Sequence, residues 1–217
     1  MRDLWLKEEI VAHIQGHYFG TLPSSVSSVS INSRQIEQGA IFFALKGLRF
    51  DGHAFLQQAV CAGATLLVVE KKQQSTAAHL GVAFIAVDDV LAALRQLALA
   101  ARRRSHAKII ALTGSVGKTT TKEMLRLCFS AFGKVHASVA SFNNHWGVPL
   151  SLARLPRDAD FAIFEVGMNH AGEIAPLVKL IRPFLSLITC IAPVHLENFA
   201  SLQEIAQEKA EIFQSVL

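Results

Sequence analysis

The residues best suited to chemistry lie in one short run. Residues 108–120 read KIIALTGSVGKTT, an apolar stretch that opens into Gly114, Ser115, Val116, Gly117, Lys118, Thr119 and Thr120. A strand that passes through a glycine-rich turn into a helix can cradle an anion. The glycines let backbone N–H groups turn inward, and the helix N-terminus adds its positive end. Lys118 supplies a point charge for the β- and γ-phosphates of a nucleoside triphosphate, and the Thr119 hydroxyl suits Mg2+. The longer form of this loop wants a further glycine five residues before Gly117. That position is Leu112, so the chain carries the shorter GxxGKT form. The plainer alternative is a chance GKT after a tight turn. It is weakened because strand, loop and helix all fall where phosphate binding needs them.

Two later residues narrow the chemistry, since a phosphate loop alone would also suit a kinase, a GTPase or a motor. Glu165 ends the apolar stretch in FEVGMNH, and His195 follows the next apolar stretch in APVHLE. In an open α/β sheet, the C-terminal ends of parallel strands face the ligand. A carboxylate there can hold Mg2+ against ATP phosphates. Taken singly, Glu165 would pass for a strand-end ion pair and His195 for a loop histidine. Together, after successive strands beside a phosphate loop, they point to a metal site.

The elements that must position these groups follow from hydrophobic spacing. Residues 1–106 read as one α/β unit. Helices are predicted over 4–14, 54–62 and from Asp88 or Asp89 to about 103, with strands over 26–31, 40–45, 65–69 and 83–87. Gly63 stops the second helix as a C-cap. The pattern restarts at 107. Strands are predicted over 108–113, 135–137, 161–166 and 185–191, and helices over 118–132, 171–181 and 201–216. Strands alternating with helices predict a parallel sheet with right-handed crossovers. The last helix reaches the end of the sequence with no closing strand. That leaves an expected open sheet edge through which copies could self-associate.

Composition excludes several classes. Hydrophobic residues are 51% and charged residues 18% of the 217, which excludes a disordered chain. The net charge is +4, with eleven basic against eight acidic residues over 1–107 and ten against nine over 108–217. Neither half has the basic stripe that nucleic acid requires. Arg102, Arg103 and Arg104 read as a cationic helix end. Cys61, Cys128 and Cys190 are far apart and form no CxxC pair, which predicts neither a zinc site nor a disulfide framework. No signal peptide or membrane-spanning run is legible, so the expectation is a cytoplasmic protein without membrane insertion.

Five blocks of sequence resemble the Mur ligases, the ATP-dependent amide ligases of peptidoglycan assembly. They are SINSRQIEQGAIFFALKGLRFDGHAF (30–55), TGSVGKTTTKEM (113–124), SFNNHWGVPLSLARL (141–155), FEVGMNHAGEIAPL (164–177) and VHLENFASLQEIAQEKAEIF (194–213). Within the family, the combination is most similar to the member that adds D-alanyl-D-alanine to UDP-N-acetylmuramoyl-tripeptide. The resemblance covers essentially the whole chain. It implies a small N-terminal α/β domain over 1–106 that binds the UDP-muramoyl peptide, followed by an incomplete parallel-sheet P-loop ATPase domain over 107–217.

The roles that follow are implied by the resemblance. Residues 114–120 would bind ATP, with Lys118, Glu165, His195 and Lys209 in catalysis. Thr119, Glu165 and His195 would serve Mg2+, with Lys209, in EKAEIF, as a carbamate ligand. On spacing alone Lys209 would read as an ordinary solvated helix lysine. Ser33, Arg34, Lys46, Asn143, Asn144, Asn169 and His170 would contact the muramoyl substrate; from the residues alone, Ser33 could equally cap a helix and Arg34 sit free on the surface. Family members are about twice this length, so ligation is expected to need parts beyond these 217 residues, including the D-alanyl-D-alanine pocket. The competing expectation is a non-catalytic module that holds the muramoyl nucleotide or ATP without turnover.

Overall fold

The computed structural model describes residues 3–48, 50–139, 142–194 and 196–214, so His195 lies outside the described residues. The chain divides into two compact units, Met1–Ala100 and Ala101–Leu217. In the first, β1 (Trp5–Leu6), α1 (Lys7–His13), β2 (His17–Phe19), β3 (Ser25–Val26), β4 (Val29–Ser30) and β5 (Ala40–Phe43) come first. Then follow α2 (Leu56–Cys61), β6 (Ala64–Glu70), α3 (Gln74–Ala78), β7 (Ala83–Val87) and α4 (Val90–Arg104), whose last residues pass the division. Its main sheet has the order β2-β7-β6-β5-β4, parallel except for β2 at one edge.

β5, β6 and β7 are apolar nearly throughout because they lie at the centre of that sheet. Phe42, Leu67, Val69 and Phe84 share one core cluster, and Phe19 stacks on Phe84 at 4.6 Å. The predicted strand over 26–31 is instead two short strands in different sheets. β3 pairs with β1, while β4 pairs with β5. Between them Ser27 turns its hydroxyl to the Gln38 carbonyl, 2.7 Å away. The helix cap falls on Asp89, whose Oδ1 accepts from the N–H groups of Leu91 and Ala92.

The second unit contains β8 (Lys108–Thr113), α5 (Lys118–Phe129), β9 (Val135–Ala137), α6 (Gly147–Ala153), β10 (Phe161–Glu165), α7 (Ile174–Ile181), β11 (Leu185–Ile188) and α8 (Leu202–Ala210). Its sheet is parallel throughout, in the order β11-β8-β10-β9. Ile110, Leu112 and Ile163 form the centre of a core cluster closed by Leu125, Phe129 and Val135. Each such large apolar side chain contributes about 1.5–3 kcal/mol by leaving water. The predicted helix over 118–132 ends at Phe129, and the one over 201–216 gives way to a 3-10 turn at Glu211–Phe213. Residues 215 and 216 of that expected helix lie outside the described residues.

Register decides where the functional groups gather. Glu165 pairs with Leu112, and Ile188 pairs with Thr113. The loops that leave β8, β10 and β11 therefore emerge side by side at the C-terminal end of the sheet. Among the described residues, no helix is long and apolar enough to cross a membrane.

One partly buried titratable group ties stability to pH. The His136 ring of β9 donates through Nε2 to the Ser151 carbonyl at 2.8 Å. Burial holds its pKa down at about 4, below the usual 6.5. Between those values the unfolded chain binds more protons than the folded one, so stability rises with pH through this window. We expect about 1–3 kcal/mol to be lost as pH falls from 6.5 to 4. Thermal unfolding across that range should show a shallower dependence in His136→Gln, which keeps a donor for Ser151 but cannot titrate.

Candidate active site

The site begins where β8 ends. Gly114 has φ of 150°, and an added Cβ there would lie 1.9 Å from the Thr189 hydroxyl oxygen. Gly117 has φ of 84° at the N-cap of α5. Only glycine makes both turns without strain. The loop is braced from the segment after β11. Ser115 donates its N–H to the Cys190 carbonyl, while its hydroxyl donates to the Ala192 carbonyl and accepts from the Ala192 N–H. The Thr189 hydroxyl donates to the Val116 carbonyl at 2.6 Å.

The loop thus presents the start of α5 as its open end. Thr121 donates to the Gly117 carbonyl. The N–H groups of Lys118, Thr119 and Thr120 precede that bond and belong to the open first turn of the helix. The Lys118 ammonium folds over the loop, donating to the carbonyls of Gly114 (2.7 Å) and Ser115 (3.3 Å). Open N–H groups, a helix N-terminus and one cation form an anion site.

A carboxylate stands beside it. Glu165 is only 1% exposed, yet both of its oxygens meet donors. Thr119 donates its hydroxyl to Oε2 at 2.9 Å, and Asn143 donates Nδ2 to Oε1 at 2.8 Å. Asn143 is fixed in turn by the Gly167 N–H, which donates to its carbonyl. These residues line an open cleft of about 290 Å3 with residues 115–120. Among the described residues no group of three or more His, Cys, Asp or Glu forms a metal cage. One hydroxyl and one carboxylate next to a phosphate loop suit Mg2+, which keeps several waters and shares its shell with substrate phosphates.

Lys209 reaches the same region from α8. The preceding residue, Glu208, is buried and accepts from the N–H groups of Gly172 (2.8 Å) and Ile174 (3.0 Å), which docks α8 onto the start of α7. Lys209 is 2% exposed, and burial together with the nearby Lys118 charge pulls its pKa down to about 8. Asn169 and His170 are exposed on a loop whose N–H groups both donate to Glu173. Asn144 turns its Oδ1 back to the N–H groups of Trp146 and Gly147, starting α6.

In the first unit, Ser33 is buried and donates to Gln58 at 2.8 Å. Arg34 and Lys46 are exposed. Lys46 pairs with Asp51 in an isolated antiparallel bridge. His53 fixes Asp51, with Nδ1 at 2.6 Å from its carboxylate and Nε2 accepting the Glu70 N–H at 3.0 Å.

Sequence spacing had not singled out Lys122, Ser138 or Glu208, all of which are buried around the site. A lysine and a glutamate on helices read as solvated by default. The one available signal for Lys122 was its place three residues after Thr119, on the same helical face.

Comparison with known proteins agrees with this geometry. Residues 112–217 match the Mur ligase middle domain, and residues 25–102 match the Mur ligase family catalytic domain. The chain belongs to the Mur ligase family. It is 43% identical over 189 residues to a UDP-N-acetylmuramoyl-tripeptide–D-alanyl-D-alanine ligase of Rickettsia prowazekii, covering 87% of this chain and 41% of that one. The enzyme of the same name from Escherichia coli is 39% identical over 192 residues, with 88% and 41% covered. The chain thus spans less than half the length of these Mur ligases. A crystal structure of MurF from Acinetobacter baumannii superposes with a TM-score of 0.85 at 34% identity, over 98% of this chain and 47% of that one. The MurF ligase of Thermotoga maritima, solved in complex with ADP, gives 0.72 at 29% identity, over 87% and 43%.

Proposed function

We propose that this chain is the muramoyl-nucleotide- and ATP-binding portion of an amide ligase that joins D-alanyl-D-alanine to UDP-N-acetylmuramoyl-tripeptide. The observation that carries the reading is the Thr119–Glu165 contact at the mouth of the phosphate loop. The names of the relatives at 43% and 39% identity support the substrate pair. On this reading residues 1–106 bind the muramoyl nucleotide and residues 107–217 bind ATP, in the cytoplasm. Ser33, Arg34 and Lys46 serve the first ligand, with the cations matched to its diphosphate. Asn143, Asn144, Asn169 and His170 serve the muramoyl peptide.

The reaction proceeds by phosphoryl transfer and then amide formation. The tripeptide's terminal carboxylate attacks the γ-phosphorus, ADP leaves, and an acyl phosphate forms. The amine of D-alanyl-D-alanine then displaces phosphate. Lys118 and the first N–H groups of α5 hold the phosphates and balance the charge that collects on the transferring group. Mg2+ supplies further neutralisation when bound. Thr119 and Glu165 would hold it, with His195 and a carbamylated Lys209 as the other ligands.

Carbamylation requires the neutral amine. A lysine of pKa about 8 is roughly one-quarter neutral at pH 7.5, against about one part in a thousand at the ordinary value. The chain incubated with 13C-bicarbonate should show a carbamate carbon resonance that is missing in Lys209→Arg. A spectrum unchanged by that substitution would remove Lys209 from the proposed ligand set.

The relatives are more than twice as long, so the reading assigns ligand binding to these 217 residues and complete ligation to the greater length. The test supplies the purified chain with ATP, Mg2+, UDP-N-acetylmuramoyl-tripeptide and D-alanyl-D-alanine. Both nucleotides are expected to bind without pentapeptide appearing by mass spectrometry. Pentapeptide would overturn the division of labour, and failure of both ligands to bind would overturn the functional reading itself.

A further inference from the structure

Lys122 is a fully buried lysine that the proposed chemistry leaves unused. It lies on α5 one turn beyond Thr119. Its ammonium donates to the Ser138 carbonyl at 2.8 Å, and Glu123, half exposed on the same helix, stands 3.4 Å away as a counter-charge. Burying an ammonium is costly unless it is hydrogen-bonded and paired. An apolar residue at this position would avoid that cost, so the position of the charge calls for a reason.

Ser138 supplies one. It follows β9, at the edge of the sheet, and three of its groups are engaged. Its N–H donates to the Ile163 carbonyl, its hydroxyl accepts from the Glu165 N–H at 3.3 Å, and its carbonyl takes the Lys122 ammonium. Asn143, five residues further along the chain, donates to Glu165 Oε1. Glu165 is therefore held at its backbone by Ser138 and at one carboxylate oxygen by Asn143. Thr119, on the helix that carries Lys122, holds the other oxygen.

We propose that Lys122 is a positioning residue: by fixing Ser138 it sets the Glu165 carboxylate opposite Thr119, and so tunes the affinity of this site for Mg2+. The proposal rests on the reading of Thr119 and Glu165 as the magnesium pair, but its first test does not. Amide hydrogen exchange in the 217-residue chain compares wild type with Lys122→Met, which keeps length and apolar stem but loses the donor. Exchange at Glu165 is expected to rise about tenfold, the loss of one charge-assisted hydrogen bond. Protection in β8 and in the first unit should stay unchanged, and Lys122→Arg should restore much of the difference. Uniform loss of protection would show a merely structural lysine, and unchanged exchange at Glu165 in a folded variant would show that Lys122 does not position it. Either result overturns the proposal. If Lys122→Met does not fold, Lys122→Leu, which also keeps an apolar stem and loses the donor, makes the same prediction.

The second test reads function. In Lys122→Met, the Mg2+ concentration that half-saturates the gain in ATP affinity is expected to rise about tenfold, while ATP affinity in chelator stays within about twofold. A matched fall in both affinities contradicts a positioning role. If wild type itself shows no Mg2+-dependent gain, the magnesium reading fails, and the exchange result still decides whether Lys122 positions Glu165.

Discussion

Replacing Lys118 with alanine is expected to weaken ATP binding by about 10²–10³-fold, the largest single loss at the site. The cause is twofold. The ammonium is the cation placed on the loop by its own carbonyls, at 2.7 Å from Gly114 and 3.3 Å from Ser115. Charge-assisted contacts to phosphate are about twice as strong as neutral ones, and truncating one partner of a hydrogen-bonded charge pair costs about 2–5 kcal/mol of binding. The side chain also folds across residues 114–118, so its loss slackens the turn. Calorimetric titration of ATP into both proteins checks this. Lys118→Arg should recover only part of the loss, because a planar guanidinium does not replace a compact ammonium over a tight loop.

The second large effect is expected from Gly114→Ala. One methyl group is added, yet it would be placed 1.9 Å from the Thr189 oxygen, at a φ of 150° that side chains rarely adopt. Thr189 must move, and its 2.6 Å bond to the Val116 carbonyl is lost with it. Overpacking and backbone strain of this kind each cost about 1–3 kcal/mol. Unfolding of the second unit should therefore shift to lower temperature by several degrees, and ATP affinity should fall because the loop that opens α5 is displaced. Gly133→Ala would be a poor control, since its added Cβ also meets a neighbour, Asp160, at 2.5 Å. Gly81→Ala meets nothing within 4 Å, although φ there is 70°, so it separates conformational strain from a clash.

Much of this site was legible before any fold. The strand over 108–113 and the start of the helix at Lys118 follow from a continuous apolar run meeting two glycines, and the structure has both boundaries there. Glu165 was legible as a carboxylate that ends an apolar stretch, whereas Asn143 was indicated only through the family resemblance. The structure brings them within 2.8 Å of each other across 22 residues. The helix Gly147–Ala153 was not legible, since Gly147 and Pro149 argue against one and all seven residues are buried, which leaves no amphipathic period. The network around Ser138 was equally hidden. A serine and a lysine sixteen residues apart carry no pattern; only the pairing of β9 with β10 and the docking of α5 bring them together.

On the proposed reading, the Glu165 carboxylate and the Thr119 hydroxyl would hold one Mg2+ beside the phosphate loop. The most direct test is the calorimetric titration of ATP into wild type and Glu165→Gln, each with Mg2+ and with chelator. Gln keeps the shape and can still accept from Thr119, but it lacks the charge a hard cation requires. The account predicts that Mg2+ tightens ATP binding in wild type, and that Glu165→Gln loses this gain while keeping its affinity in chelator. An equal gain from Mg2+ in both proteins, or no binding of ATP by wild type, would contradict it.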